Sequence, residues 1–382
     1  MEHSITFFLL AFINFILAIL FLMNLINLYG IKKIYPHKRN GCNVSVSVLI
    51  PARNEEVNIG RCLRSLLEQN YGNFEIIVLN DNSIDKTAEI VKSVNDVRLR
   101  MIDGKNLQKG WVGKNFACHQ LQTEAKGEYL LFIDADTELN KDCIANAVTF
   151  AVENNTGLLS IMPWEISVTF WEKLVIPMLY FAVMSFLPVP LIEHSRRREF
   201  SMGNGQFMLF KRSCYDIIGG HESLKNKIVE DVWLSRRVKE LGQKLIFADG
   251  TDIMKCRMYG SFDEVWNGFS KNFFAGLAFS KGRLIAVIIT YFMLFILPVL
   301  TLIYGLIISD LSILYLSIAA YIIPVIIRIT HSVKFNQPFL FSFINFLSCI
   351  FLISVSINSY RIVKFGKGAN WKGRNYSENE IK

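Results

Sequence analysis

The first thing this 382-residue chain lacks is a pattern among its seven cysteines. Cys42, Cys62, Cys118, Cys143, Cys214, Cys256 and Cys349 form no Cys-x-x-Cys pair and have no histidine cluster near them. That argues against a zinc site or a disulfide framework and for reduced thiols. Charged residues are also scarce, 19% against 52% hydrophobic, which is too apolar for an ordinary soluble enzyme. No internal repeats or low-complexity tracts stand out. The formal charge of +8 is modest and partly set by basic flanks, so anionic lipid headgroups are the expected partner and nucleic acid is not.

What is present begins with a charge-free run over residues 4–28, long enough for the roughly 20 residues a helix needs to cross a bilayer. It has no basic stretch before it, whereas Lys32, Lys33, Lys38 and Arg39 follow it. It therefore reads as an uncleaved anchor with residue 44 onward in the cytoplasm. Further apolar runs cover 284–308, 311–327 and 338–360. The expected organisation is an anchor and basic flank over 1–43, a catalytic domain over 44–282, membrane helices over 283–363 and a basic tail over 364–382. Three C-terminal spans would leave Arg361, Lys364, Lys367, Lys372 and Arg374 outside, against the positive-inside rule. Either one of those runs does not span, with 311–327 the weakest, or the rule fails in this chain.

Between the first and second runs, strand-like and helix-like patterns alternate, which predicts an α/β domain with a mostly parallel sheet. Residues 44–50 read as a strand ended by Pro51, 74–79 as a second, 97–102 as a third and 129–133 as a fourth. Helices are expected over 57–69, from about Asp85, and over 141–152. Parallel sheets bind ligands at the carboxyl ends of their strands. Three polar clusters sit there: Pro51-Ala52-Arg53-Asn54-Glu55-Glu56, then Asn80-Asp81-Asn82-Ser83-Ile84-Asp85, then Asp134-Ala135-Asp136. A solvated loop explains one such cluster easily and three in succession poorly.

In extended chain, residues i and i+2 share a side, so Asp134 and Asp136 can face one site with Ala135 turned away. Two close carboxylates need a cation or a shared proton to relieve them. So few oxygen ligands suit Mg²⁺ or Mn²⁺ completed by water and phosphate oxygens, so the ion needs a phosphate-bearing partner.

A strand ending in Asp134-Ala135-Asp136, preceded by those two loops, resembles the nucleotide-sugar-dependent glycosyltransferases of family 2, which have the GT-A fold. Gly203-Asn204-Gly205, Gly219-Gly220 and Glu230-Asp231 continue the pattern in order. The resemblance implies that Pro51, Glu55 and Asp81 line the pocket for uracil and ribose of a UDP-sugar. It also implies that Asp136 binds the metal directly while Asp134 assists. Asn80 stands where the family more often has Asp, and Asn82 where Gly is common. Glu230 and Asp231 open an apparent helix, where acidic residues are also simply favoured; the resemblance makes Asp231 the general base of an inverting transfer.

Lys109-Gly110-Trp111-Val112-Gly113-Lys114-Asn115 is not a phosphate loop of the Walker type, because its glycines are too closely spaced and Asn115 replaces Ser or Thr. Lys114 is expected to begin the helix before the fourth strand and to add positive charge near the diphosphate, while Trp111 packs. His119 and His221 have no ligand-spaced partners. A sugar nucleotidyltransferase would want a glycine-rich loop after the first strand, and a transporter or scaffold would not need the ordered clusters.

Residues 174–192 are apolar but interrupted by Pro177, Pro188 and Pro190, and one active site needs the clusters before and after them on the same face. They are expected to be interfacial or re-entrant, with Arg196, Arg197 and Arg198 at the headgroups. The aromatic spacing over 261–274 suits an interface helix or a core helix. No Gln-x-x-Arg-Trp motif of processive synthases is present, which favours single-sugar transfer. Residues 110–114 with Ala117-Cys118, Arg257-Met258-Tyr259, and the tail Asn370-Trp371-Lys372-Gly373-Arg374-Asn375-Tyr376-Ser377 are similar to the membrane members of the family that act on apocarotenoid acids. That similarity implies glucose transfer from UDP-glucose to the carboxylate of 4,4'-diaponeurosporenoate. The Glu230-Asp231 pair leaves an alcohol acceptor, a hopanoid or a glycerolipid, as the alternative.

Overall fold

The computed structural model describes residues 2–35, 42–366, 368–372 and 374–376. Lys38 and Arg39 of the basic flank, Lys367, and Gly373 and Ser377 of the tail motif lie outside them. The chain divides into two units. One comprises Ile31–Ile166, Pro190–Met258 and Lys367–Lys382, the other Met1–Gly30, Ser167–Val189 and Tyr259–Gly366.

The strands of the first unit are, in chain order, β1 (Lys32–Lys33), β2 (Val46–Ala52), β3 (Phe74–Asn80), β4 (Leu99–Asp103), β5 (Tyr129–Ile133), β6 (Thr137–Leu139), β7 (Leu158–Met162), β8 (Trp164–Glu165), β9 (Phe207–Lys211), β10 (Leu245–Asp249), β11 (Met254–Cys256), β12 (Ala369–Trp371) and β13 (Arg374–Tyr376). An eight-stranded sheet runs β1-β10-β7-β9-β5-β2-β3-β4. Only β9 is antiparallel to its neighbours, β5 and β7. Every residue of β5 and β7 is buried, as expected of strands covered on both faces. One face is covered by the helices Ile59–Leu67 and Cys143–Glu153, whose Leu63, Leu66, Ile144 and Val148 join Val48, Ile76 and Leu131 in one core.

Two details differ from the sequence reading. Pro51 does not end the first strand but lies inside it, opposite Leu79 of β3. Pairing of β2 with β5 stops at Leu49, so beyond that point one side of β2 is an edge, where a missing N–H is tolerated. The helix expected from about Asp85 begins at Thr87, because Asp85 turns its carboxylate onto the Thr87 N–H and hydroxyl instead.

The second unit is helical. Four of its helices are long and apolar enough to cross a membrane: Ile5–Gly30, Lys281–Ile308, Leu311–Lys334 and Phe339–Phe365, counted among the described residues. Phe8, Phe12, Phe15, Leu22 and Ile26 of the first are exposed, whereas its asparagines turn inward. Asn14 donates to the Leu316 carbonyl (3.0 Å) and Asn27 to the carbonyls of Met184 and Leu187 (2.8 and 2.7 Å). In lipid this is the stable arrangement, since a polar side chain gains by finding a partner inside the bundle. Residues 167–189 form two short helices, Phe170–Val175 and Met178–Phe186, with Leu174, Val175, Met178 and Phe181 buried in the helical core. At six and nine residues, neither can span.

Candidate active site

The three strand-end clusters converge. The loops after β2 and β3 are laced together: the Asn54 N–H donates to Ser83 Oγ (3.1 Å), the Glu55 N–H to Thr87 Oγ1 (2.7 Å) and the Ile84 N–H to Asn54 Oδ1 (3.0 Å). Asn54 and Asn82 both sit at φ 53°, the left-handed region that asparagine tolerates better than most residues. That accounts for an asparagine at position 82, where glycine is the commoner solution. Asn80 accepts from the Ser83 N–H and donates to Asp103, so it shapes the turn.

The Asp134-Ala135-Asp136 segment is a turn rather than extended chain. β5 ends at Ile133, and the Asp134 carbonyl accepts from both the N–H and the hydroxyl of Thr137 (3.3 and 2.8 Å). Ala135 is turned away, into the core at 2% exposure, so the two carboxylates flank an apolar anchor. The Asp136 Oδ1 is enclosed and has no hydrogen-bond partner. Burial, the Asp134 charge and the Glu55 charge push the Asp136 carboxyl up to about 7.

Strand β9 brings the glycine loop here. Because it runs antiparallel to β5, Phe207 pairs with Ile133 and residues 203–206 arrive at the end where Asp134 emerges. A Cβ on Gly203 would stand 2.3 Å from Ser235 Oγ and 2.7 Å from the Asp231 carbonyl, so only glycine allows this approach. The Gly205 N–H donates to Asp231 Oδ2 (2.9 Å).

Lys114 occupies the first turn of the helix Gly113–Glu124, and its Nζ bridges Asp134 Oδ1 (2.7 Å) and Glu230 Oε1 (2.8 Å). Burial opposes its charge, yet the two carboxylates raise its pKa well above the usual value. Burial likewise opposes the Glu230 charge, and Lys114 outweighs it, holding that carboxyl below its ordinary range. Asp231 has no such partner. Burial and the Glu230 charge push it up to about 7.

The helix Glu230–Glu240 is entered through Val229 at φ 61°, ψ 51°, a left-handed conformation that a β-branched residue adopts only under constraint. Asn115 supplies part of that constraint. Its buried amide donates to the carbonyls of Leu224 (2.7 Å) and Lys227 (2.9 Å), tying the approach to Val229 onto the helix that carries Lys114. The sequence pattern offered Asn115 only as a departure from a phosphate loop.

Trp111 packs on Phe116 and His119. His221 is buried, shares a 2.7 Å hydrogen bond with the Tyr215 hydroxyl and is held neutral, burial lowering its pKa to about 3. Neither histidine joins the carboxylates.

Sequence reasoning assigned no contacts to the tail. The hairpin β12–β13 lies on the loops after β2 and β3. Arg374 holds Asp81 with two parallel bonds (2.6 and 2.9 Å), and Lys372 pairs with Glu55 (2.9 Å). Arg53 donates to the Asp81 carbonyl (2.6 Å) and the Lys372 carbonyl (3.0 Å). The Tyr376 hydroxyl accepts from the Gly113 N–H (2.9 Å).

A mostly parallel sheet with one inserted antiparallel strand, its carboxylates at successive strand ends, defines a GT-A-like α/β unit, and residues 47–218 match the family model described as Glycosyl transferase family 2. Over these residues the chain is similar to family 2 glycosyltransferases. Over 347 residues it is 28% identical to a 4,4'-diaponeurosporenoate glycosyltransferase of Staphylococcus haemolyticus, covering 90% of this chain and 92% of that protein. The Staphylococcus aureus protein of the same description is 26% identical over 344 residues, 87% of this chain and 88% of the relative. The fold is similar to that of a mannosyltransferase from Pyrobaculum calidifontis determined with GDP-Man and Mn²⁺, with a TM-score of 0.52 over 92% of this chain and 98% of that one at 17% identity.

Proposed function

We propose that the protein is an inverting membrane glycosyltransferase that moves glucose from UDP-glucose to the carboxylate of an apocarotenoid acid, 4,4'-diaponeurosporenoate. The observation that carries the donor half is the meeting of Glu55, Asp81, Asp134 and Asp136 at three strand ends beside Lys114 and Glu230-Asp231. The acceptor half is supported by the two staphylococcal relatives, whose similarity runs through most of the chain.

Asp134 and Asp136 are the residues that would hold Mg²⁺ or Mn²⁺. The enclosed, unpartnered Asp136 Oδ1 and the all-oxygen donor pair fit a hard divalent ion, and among the described residues no cluster of three or more Asp, Glu, His or Cys forms a ready-made cage. When bound, such an ion supplies stabilisation of the negative charge developing on the departing diphosphate. Lys114 adds a second positive charge beside Asp134. Pro51, Glu55 and Asp81 are assigned to the nucleoside, with Asp81 and Glu55 offering acceptors to its N–H and O–H groups.

Asp231, oriented by the Gly205 N–H, is the assigned base, with Glu230 keeping its carboxyl in the range suited to proton transfer. A hydroxyl acceptor would give its proton to Asp231 as its oxygen bonds the anomeric carbon and the bond to diphosphate breaks. A carboxylate acceptor is already ionised near neutral pH. The raised Asp231 therefore favours a second reading in which the acceptor is a hopanoid or glycerolipid hydroxyl.

The domain is assigned to the cytoplasmic face of the cell membrane, since Lys32 and Lys33 follow the first apolar helix. The segment 174–192 is assigned to the membrane surface. The tail belongs to the same unit as the catalytic residues, so an even number of crossings separates Met258 from it. One of the three C-terminal helices then lies in the membrane without crossing it, which also returns Lys372 and Arg374 to the cytoplasm.

The test is expression in a host that makes 4,4'-diaponeurosporenoate, followed by mass spectrometry of the pigments. The glucosyl ester is the expected product. Absence of the ester, with another lipid labelled from UDP-glucose in the same membranes, would replace the pigment acceptor with that lipid.

A further inference from the structure

Six carboxylates gather at this site, and a nucleoside diphosphate-sugar brings more negative charge to it. Arg53 and Lys114 are the cations that the body of the unit contributes to these contacts. The hairpin β12–β13 adds Lys372 and Arg374, doubling that number. Both are directed at carboxylates on the loops after β2 and β3, and Arg374 is nearly enclosed, its side chain 17% exposed against 6% for Asp81. Its guanidinium fork holds both Asp81 oxygens at once, and each of those oxygens keeps a lone pair.

The hairpin also touches the first turn of the helix carrying Lys114. The N–H groups there have no partner within the helix, and a helix N-terminus of this length attracts phosphate. The first of them, on Gly113, donates to Tyr376. The hairpin thus reaches across from the nucleoside loops to the diphosphate end in one short segment. Two explanations compete: a plug that occupies the pocket, or a wall that completes it. Charge decides between them. Among the described contacts, two cations face these carboxylates without the hairpin and four with it, so a wall carrying Lys372 and Arg374 lessens the repulsion that the donor would meet.

We infer that the C-terminal hairpin completes the nucleotide-sugar site, with Arg374 and Lys372 as donor-binding residues that act on the nucleoside diphosphate directly and through Asp81 and Glu55. This rests on the donor-site reading above. The site is therefore built from both ends of the polar chain, with Arg374 lying 293 residues from Asp81.

The test uses the full chain in lipid nanodiscs, with UDP as the probe, read by calorimetry and by hydrogen exchange over residues 368–376. UDP should slow exchange in this segment, which requires no variant. Arg374→Met should weaken UDP binding about tenfold or more and raise the donor KM with little change in kcat. Arg374→Lys should recover part of the loss, and Lys372→Ala should cost less than Arg374→Met. Faster exchange on adding UDP, or Arg374→Met binding UDP as tightly as or more tightly than the unmodified chain, would overturn the inference and make the hairpin a plug. If the unmodified chain binds neither UDP nor UDP-glucose, the donor-site reading itself falls, and the hairpin's role falls with it.

Discussion

Arg328 of one unit and the half-buried Lys114 of the other are held in opposite ways. Arg328, in the membrane-helix unit, is 1% exposed and surrounded by neutral acceptors: Asn345 Oδ1 (3.0 Å), Ser348 Oγ (2.6 Å) and the carbonyls of Lys173 (3.3 Å) and Leu174 (2.8 Å). Those carbonyls need it. Pro177 has no N–H to offer Lys173, four residues earlier, so the helix breaks and Arg328 closes the gap. Lys114, in the catalytic unit, is held by two carboxylates, those of Asp134 and Glu230. A cation held among neutral acceptors has no carboxylate beside it that calls for a second ion. A lysine outnumbered by carboxylates marks a site whose charge is balanced only when another cation arrives.

The largest expected effect lies on the carboxylate side. Asp231→Asn should slow transfer to a hydroxyl acceptor by about 10²- to 10⁴-fold and transfer to an apocarotenoid carboxylate far less, measured as kcat on each acceptor. Equal losses on both acceptors would remove the base from the account. Next comes Arg328→Met, which leaves carbonyl acceptors unsatisfied and should cost about 2–4 kcal/mol in unfolding experiments in detergent. UDP affinity of the folded fraction should not move; a parallel loss would mean that Arg328 is no mere structural tie.

A smaller effect is expected from pH. Asp231 acts as a base only when ionised, and its carboxyl is held near about 7, so activity falls as protons are added. Activity on a hydroxyl acceptor should rise about tenfold between pH 6 and pH 8 and then level off, with the rise absent in Asp231→Asn. Smallest is Val229→Gly. It relieves a left-handed valine and should stabilise the catalytic unit by about 1 kcal/mol in thermal unfolding, while loosening Glu230-Asp231 and lowering kcat.

Much of this was legible in the sequence where a local pattern carried it. The apolar blocks 74–79 and 129–133 announce their strands, and the polar residues directly after them sit at the strand ends. Pro51 misleads because its tolerance depends on where β5 stops pairing, a fact belonging to another strand. The Asp134-Ala135-Asp136 turn misleads because Thr137, with both its N–H and its hydroxyl on the Asp134 carbonyl, overrides the extended chain. The apolar run read as ending at Ile327 continues as helix to Lys334, since the charge of Arg328 is met from inside the unit. The hold of Arg374 on Asp81 has no local signal at all. The tail stood out as basic residues beyond the last apolar run and as a stretch similar to family members, and neither points to Asp81. The strain at Val229 leaves no trace, because nothing in a valine predicts a left-handed backbone.

The central claim is that the strand-end carboxylates form a metal-assisted nucleotide-sugar site. The most direct measurement is UDP binding by the full-length protein and by Asp136→Ala, each with and without Mn²⁺, alongside a check that the variant remains folded. The account predicts that Mn²⁺ tightens UDP binding to the unmodified protein by at least about tenfold and that Asp136→Ala abolishes this gain. UDP binding of equal strength in all four conditions would contradict it.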